Sequence, residues 1–143
     1  MKGLNNMLSL IKRIGQRFPD RVAAALYAEA QLMMTESKRR CPVAPDGGTL
    51  RASGKVHDPE RGIGRHISVT MSYGGAAQDY AIAVHEHPSE HSPYSWRIHA
   101  ERGLPIDWNA DGTGPKFLEG PINEVMPTLA RRIAERVHLE RER

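Results

Sequence analysis

The chain has 143 residues, 39% of them hydrophobic, with 20 basic and 17 acidic side chains and a formal net charge of +3. This length is typical of one compact domain with one hydrophobic core, so we predict a single domain over residues 1–143. The basic residues are dispersed and nearly matched by acidic ones, which excludes the dense basic footprint of a dedicated nucleic-acid-binding protein. Residues 1–18 have neither a long apolar core nor a small-residue cleavage site, so we expect a soluble protein without a signal peptide.

Apolar residues recur at helical spacing in the first forty residues. They predict a short amphipathic helix within 1–18 and a long helix from Pro19 to about Arg40. The long helix should end there because the residue before Pro42 is pushed out of the helical conformation. The proline- and glycine-rich stretch 42–48 then predicts a loop.

The middle of the chain predicts strands. Residues 49–54 have room for no more than one helical turn or a turn into a strand, and a strand is predicted to begin within 55–57. Residues 66–73 alternate strictly between apolar and polar side chains, and residues 80–84 alternate again. We therefore expect an antiparallel pair of strands whose second member directs three side chains into the core, namely Tyr80, Ile82 and Val84.

Residues 87–114 show no sustained hydrophobic period. A stretch of this length is long for a connection inside a compact domain and is typical of an interface segment. Within this extended loop, residues 95–100 have the composition of a short strand. The apolar stripe from Phe117 to Val137 predicts an amphipathic helix, with a kink or a division into two helices near Pro127. The expected fold class is α+β, with a small antiparallel β-sheet packed by a long N-terminal helix and a kinked C-terminal helix, and with a long inserted loop.

Three histidines at the end of the second predicted strand are candidate metal ligands: His85, His87 and His91. Imidazoles two residues apart on a strand point to one face and could share a metal ion. The pattern is not the His-Glu-x-x-His motif of metalloproteases, because Ser89 stands where the second histidine is needed. A solvated strand end is the commoner explanation, so a metal-dependent, nuclease-like enzyme is an alternative rather than the main prediction.

Cys41 is the single cysteine, which excludes an intrachain disulfide and favours a reducing site of synthesis. A small, partly buried side chain is the simplest explanation for it, although the cations just before it could activate a thiolate. The loop through Asp46 and Gly48 lacks the lysine of a phosphate-binding motif, and the sequence contains no Gly-x-Ser-x-Gly elbow. We therefore predict a protein without catalytic residues, resident metal or cofactor.

Arginines and tryptophans outside the apolar stripes are candidates for contacts with partners. A solvated helix face is the simplest explanation for the arginines, and contact with DNA, including as a free DNA-binding regulator, is the alternative. The candidates for contact with DNA are Arg39, Arg40, Arg131, Arg132 and Arg136. Large aromatic residues in the long loop either anchor an interface with a partner or hold the loop against its own domain. The candidates for a subunit interface are Tyr94, Trp96, Trp108, Leu50 and Arg51.

Four segments resemble, in order and spacing, a family of small siphophage proteins described as neck, tail-completion or minor tail components. The segments are Lys38-Arg-Arg-Cys-Pro-Val43, Asp46-Gly-Gly-Thr-Leu-Arg-Ala-Ser53, Tyr80-Ala-Ile-Ala-Val-His-Glu86 and Lys116-Phe-Leu-Glu-Gly-Pro121. The family usually reads Pro-Val-Asp-Thr-Gly-x-Leu-Arg, whereas this chain adds Ala44 and Pro45 and has Gly47 in place of the threonine. The stretch 87–114 is also longer than in the shortest members.

The resemblance implies a non-catalytic virion protein, made in the cytoplasm of a host bacterium and assembled as a ring around the DNA channel at the head–tail junction. The implied partners are other copies of the chain and neighbouring head-completion, tail-terminator or tail-tube proteins, with transient contact to phage DNA and none to a membrane. Each subunit of such a ring needs two different complementary surfaces. The positions that match the family motifs are Asp46, Gly48, Leu50, Arg51, Tyr80, His85, Glu86, Lys116, Phe117, Leu118, Glu119 and Pro121.

Overall fold

The computed structural model of the chain describes residues 2–42, 48–86 and 114–141. In these ranges the helices are α1 (Lys2–Arg17), α2 (Pro19–Arg40), α3 (Thr49–Ala52), α4 (Gln78–Glu86) and α5 (Glu119–Arg141). The strands are β1 (Lys55–Val56), β2 (Glu60–Arg61), β3 (Ile67–Ser68) and β4 (Met71–Ser72). This mixture of long helices and short antiparallel strands confirms the predicted α+β class.

The two N-terminal helices have the predicted bounds. Helix α1 ends at Arg17, and α2 begins at Pro19, whose fixed φ suits a first helical turn. Asp20 lies in the first turn of α2 and three cations, Lys38, Arg39 and Arg40, lie in its last turn. Both placements complement the helix dipole and so stabilise α2 over its predicted length, from Pro19 to Arg40.

The strands are shorter than the sequence suggested. The single strand predicted over 66–73 is wrong, because β3 and β4 belong to different two-stranded sheets, ordered β1–β4 and β2–β3. Strands β2 and β3 are antiparallel, with Glu60 opposite Ser68 and Arg61 opposite Ile67. The alternating pattern is continuous across this segment, but its two halves find different hydrogen-bonding partners, and the ladder divides between them.

Residues 78–86 form a helix, so the strand predicted over 80–84 is wrong. Among the side chains of this segment that the structure describes, Ala81 and Val84 are buried, and they continue the helical spacing set by Ala77. Ile82, which the strand pattern directed into the core, is 78% exposed. Alternate apolar residues separated by alanine fit a strand and a helix equally well in sequence, and the high helix propensity of alanine favours the helix once its apolar face has a core to cover.

The chain forms two compact units, and the first comprises Met1–Met33, Val56–Met71 and Ile122–Arg143. Its core lies between α2 and α5 and contains Val22, Ala25, Ile133 and Val137. Glu29, only 2% exposed, lies in the same unit with its carboxylate 2.7 Å from Nε of Arg136 and 2.9 Å from Nε of Arg132. The two guanidinium groups compensate the desolvation of this buried charge.

The second unit comprises Met34–Lys55 and Ser72–Pro121. Its core contains Cys41, Leu50, Ala77, Ala81, Val84 and Phe117, with Tyr73 and Leu118 packed against it. The hydroxyl groups of Tyr73 and Ser37 lie 2.7 Å apart in a hydrogen bond. Gly54 is packed so closely that an added Cβ would lie 2.9 Å from the Tyr73 ring, so this position accepts no side chain without a shift of its neighbours.

The C-terminal segment is one helix, α5, so the predicted division into two helices is wrong, while the alternative of a kink near Pro127 stays a prediction. Pro121 lies in the first turn, where its missing N–H removes no intrahelical hydrogen bond. Pro127 lies within the helix and is exposed.

Some predicted features lie outside the described residues. They are the strand at 95–100, the aromatic residues Tyr94, Trp96 and Trp108, the histidines His87 and His91, and Asp46. Among the helices of the described ranges, none is long and apolar enough to cross a membrane.

The packing of the second unit predicts a contrast between two large apolar side chains. Phe117 is 1% exposed, so Phe117→Ala should lower the free energy of unfolding by about 3–5 kcal/mol through lost burial and a cavity. Ile82 is mostly exposed, and Ile82→Ala should change it by less than about 0.5 kcal/mol. Urea unfolding of both variants checks this, and equal effects of the two substitutions would contradict the assigned core.

Candidate functional site

Two of the segments that carry the family resemblance meet in the second unit, at the end of α4 and the start of α5. We call this meeting point the α4–α5 junction and define it by His85, Glu86, Lys116, Phe117 and Glu119. The backbone N–H of Lys116 donates to the carbonyl oxygen of His85 at 2.7 Å, and the N–H of Gly120 then donates to the carbonyl of Lys116 at 2.7 Å. The start of α5 is thus tied to the last turn of α4 through the main chain.

Lys116 has a backbone φ of +57°, a left-handed conformation that is uncommon for residues other than glycine. Its ammonium group lies 2.5 Å from Oε2 of Glu86 and 3.1 Å from Oε2 of Glu119. The hydrogen bond from Lys116, followed by that from His85, holds the pKa of Glu86 below its ordinary value. The carboxylates of Glu86 and Glu119 raise the pKa of Lys116 in turn, so both partners stay charged over a wide pH range.

The imidazole of His85 uses both of its nitrogens inside the junction. Nε2 accepts the backbone N–H of Glu119 at 3.3 Å, and Nδ1 lies 2.8 Å from Oε1 of Glu86. Because Nε2 accepts, the ring proton belongs on Nδ1 and is donated to the Glu86 carboxylate. The ring also packs edge-on against Phe117, with 4.9 Å between the centroids. His85 therefore satisfies one of the free amides at the start of α5.

The junction also groups side chains that could hold a metal ion. Ligand atoms of His85, Glu86 and Glu119 lie within 4.8 Å of one another. This set differs from the predicted three histidines, since Glu119 is distant in sequence and only the fold brings it close. The ammonium of Lys116 lies between the two carboxylates and supplies the compensating positive charge itself, so a divalent ion would have to displace it.

An apolar groove of about 230 Å³ lies beside the junction, lined by Tyr73, Ala81, Ile82, His85, Glu86, Phe117 and Leu118. We call it the α4 groove. Two of its lining residues, Tyr73 and Phe117, form an edge-on pair whose ring centroids are 5.0 Å apart. Tyr73 has its pKa raised to about 12, mainly by burial. Its hydroxyl is therefore a neutral hydrogen-bonding group at physiological pH.

Two of the predicted interface residues, Leu50 and Arg51, have internal contacts instead of an outward-facing role in this structure. Leu50 is 5% exposed in the core of the second unit. Arg51 donates from Nη2 to the carbonyl of Cys41 at 2.7 Å and from Nε to the same oxygen at 3.2 Å. Gly48 begins the turn before them with φ +81°, which explains a glycine at that motif position.

Cys41 is fully buried beside these residues. Burial raises the pKa of its thiol to about 12, and the opposing charge of Arg51 is the smaller influence. The cations that precede it in sequence, Arg39 and Arg40, bind the Glu36 carboxylate instead, at 2.6 and 2.7 Å. Their hydrogen bonds hold the pKa of Glu36 at about 2. The arrangement is that of a small core residue, not of an activated nucleophile.

The predicted DNA-contacting arginines of α5 are in the first unit. Arg132 and Arg136 bind the buried Glu29, and Arg131 lies 3.9 Å from Glu135. With Arg39 and Arg40 on Glu36, each of the five candidates has a carboxylate within 4 Å. Tyr80 lies in α4. Pro121, the last residue of the motif, is fully buried.

No protein-family model, curated protein or solved structure matches this chain.

The buried thiol predicts slow chemical modification. At pH 8, iodoacetamide should label Cys41 at least ~100-fold more slowly in the native protein than in the unfolded chain, because the thiol is both covered and protonated. Mass spectrometry of timed samples in buffer and in guanidinium measures both rates. Labelling of the native protein at the unfolded rate would contradict the buried, inactive assignment.

The junction predicts a pH-dependent contribution to stability from Lys116. A carboxylate whose pKa is lowered in the fold stabilises the protein above the ordinary carboxyl pKa, and this stabilisation is lost as the pH falls through the lowered pKa. A lysine whose pKa is raised stabilises the protein up to the ordinary lysine pKa, and this stabilisation is lost as the pH rises through the raised pKa. Lys116→Met removes the ammonium but leaves a side chain with a Cβ, so the strain of the left-handed backbone at this position is unchanged. Its Tm should therefore fall furthest below that of the wild type near neutral pH, with the difference shrinking below about pH 4 and above about pH 10.

Thermal unfolding over this pH range provides the measurement. Lys55→Met, which removes another exposed lysine, is the matched control and should give a smaller and flatter difference. A Tm difference for Lys116→Met that does not depend on pH would mean that the ion pairs are not formed in solution.

Proposed function

We propose that this chain is a non-enzymatic structural subunit of a long-tailed bacteriophage, which forms or joins a ring at the head–tail junction around the DNA channel. The observation that carries the proposal is the α4–α5 junction. The segments ending in Glu86 and beginning at Lys116 are the ones that resemble the siphophage family, and their side chains bind one another rather than a shared reactive centre. The side chains at these motif positions therefore hold the end of α4 and the start of α5 together.

The chemistry of the junction favours this proposal over a metal-dependent enzyme. A hydrolytic metal site keeps an open coordination position beside its protein ligands. Here Lys116 binds both carboxylates, and His85 directs its lone pair at a backbone amide. These groups are engaged in structural contacts and are not arranged around an open position.

The charge distribution favours a virion subunit over a free DNA-binding regulator. Tight binding of DNA depends on arginines and lysines that release counterions from phosphates. Each of the arginines that the sequence singled out lies within 4 Å of a carboxylate, and the five arginines share three carboxylates, those of Glu29, Glu36 and Glu135, so their charge is partly compensated. Partly compensated arginines suit a surface past which DNA moves more than one that holds it.

The composition and assembly of phage particles test the proposal. Mass spectrometry should find the protein in virions purified from the phage that encodes it. Particles made without it should accumulate as separate filled heads and tails in electron micrographs, and expression of the wild-type chain in trans should restore joined particles. Absence of the protein from purified virions would overturn the proposal.

A substitution of His85 separates the structural proposal from the metal-enzyme alternative. His85→Gln removes the imidazole ligand but keeps a side-chain oxygen to accept the Glu119 amide. The structural proposal expects His85→Gln, supplied in trans, to restore joined particles. The enzymatic alternative instead predicts metal-dependent nucleic-acid cleavage by the purified wild type, abolished by this substitution.

A further inference from the structure

Three charged side chains form a network in the first unit, which we call the Glu29 clamp and define by Glu29, Arg132 and Arg136. Glu29 is 2% exposed, and its two carboxylate oxygens lie 2.7 Å from Nε of Arg136 and 2.9 Å from Nε of Arg132. The two arginines are four residues apart on α5, so they are neighbours on one face of the helix. One buried carboxylate therefore draws two guanidinium groups together.

The contacts with Glu29 leave most of each guanidinium group available. Both arginine side chains remain 38% exposed, and each approaches Glu29 through Nε. A guanidinium group has five N–H donors, so a contact through Nε leaves the four on Nη1 and Nη2. In the part of the chain that the structure describes, no residue accepts a hydrogen bond from these distal atoms. Each arginine thus holds α2 against α5 through one nitrogen and offers the rest of its donors to a ligand.

The described charges at the clamp sum to a positive value. Two guanidinium groups on one carboxylate leave a net charge of +1. Arg131 and Glu135 lie 3.9 Å apart on the same helix and offset one another. The α2 residues three and four positions before and after Glu29 are all uncharged, namely Ala25, Leu26, Leu32 and Met33. Helix α2 therefore adds no second carboxylate beside the clamp, and the surplus charge favours an anionic ligand.

The stability of the fold alone does not account for this network. Removing charges from water is costly, and apolar residues of similar volume often stabilise a protein as well as a buried ion network does. A buried carboxylate does, however, restrict the conformations of the two arginines. A ligand that binds such positioned side chains loses less free energy to ordering them.

We propose that Arg132 and Arg136, positioned by Glu29, bind a phosphate group at the surface of the first unit. A guanidinium group donates two parallel N–H bonds to a pair of phosphate oxygens. A tetrahedral phosphate can accept from two such groups at once, whereas a planar carboxylate is matched by one. The surplus charge of only +1 makes the contact weak and easily broken.

The source of the phosphate rests on the proposed function, which puts the subunit beside DNA. Contacts with backbone phosphates are independent of base sequence, so the clamp would hold passing DNA briefly at any position. A free phosphate group has the same chemistry and is the other possible source. The experiments below distinguish the two.

Lysine substitutions test the clamp in the full-length protein without changing its net charge. Arg132→Lys and Arg136→Lys keep a cation beside Glu29 but lose the planar set of distal donors. Each should weaken binding of inorganic phosphate at least ~5-fold in an NMR titration, because charge-assisted bidentate hydrogen bonds are lost. Arg131→Lys, on the same helix, is the matched control and should change the affinity less than ~2-fold, as expected for an exposed ion pair. In the wild type, phosphate should shift the Nε–Hε resonances of Arg132 and Arg136 more than that of Arg131.

Glu29→Gln tests the positioning role. This substitution removes a negative charge, so general electrostatic attraction predicts tighter phosphate binding. Loss of the positioning carboxylate predicts weaker binding instead, together with faster solvent exchange of the Nε–Hε protons of both arginines. A folded Glu29→Gln protein that binds phosphate more tightly would contradict the positioning role. If its melting curve shows that Glu29→Gln does not fold, the lysine variants still decide whether the clamp binds phosphate.

A DNA duplex of about 20 base pairs tests the source of the phosphate. At about 50 mM NaCl the wild type should bind duplexes of unrelated sequence with equal, weak affinity that falls as salt is raised. Arg132→Lys and Arg136→Lys should weaken this binding and Arg131→Lys should not. Binding of inorganic phosphate without binding of the duplex would retain the clamp, assign it a free phosphate group and overturn DNA as its ligand.

Two results would overturn the inference as a whole. One is the absence of a shift at Arg132 and Arg136 with both phosphate and duplex. The other is equal weakening by Arg131→Lys and the two clamp variants, which indicates general attraction rather than a site. Neither result affects the proposed function if the protein is found in virions. Absence from virions with intact phosphate binding would instead retain the clamp and remove channel DNA as its ligand.

Discussion

The insertion of Phe117 into the core of the second unit is the constraint on which this region depends. The ring is almost completely buried and packs edge-on against both Tyr73 and His85. Once it is in place, the preceding Lys116 amide reaches the carbonyl of His85, and α5 begins directly afterwards. The left-handed backbone of Lys116 is tolerated because burial of the neighbouring ring and the ion pairs of its own side chain outweigh a modest local strain.

The same insertion decides what the polar groups nearby can do. It places an imidazole, two carboxylates and an ammonium within hydrogen-bonding distance, a combination found in many active sites. In this junction the groups bind each other and the free amide at the start of a helix, and the lowered pKa of Glu86 and the raised pKa of Lys116 follow from these contacts. Perturbation of a pKa by itself therefore does not distinguish catalysis from architecture.

The first unit applies a related constraint through Glu29. A carboxylate with 2% exposure is costly to bury alone, and Arg132 and Arg136 offset that cost while staying partly exposed. Arginines that look like a basic face in sequence are thus committed to holding α2 against α5.

The sequence by itself determined the α+β class and the bounds of α1 and α2, because proline, glycine and a 3.6-residue period act locally. Only the tertiary structure decided that residues 78–86 are helical, that the alternating segment after His66 divides between two sheets, and that Glu119 joins His85 and Glu86. Each of these depends on a partner distant in the chain, and local periodicity contains no information about which partner a strand or a carboxylate will find.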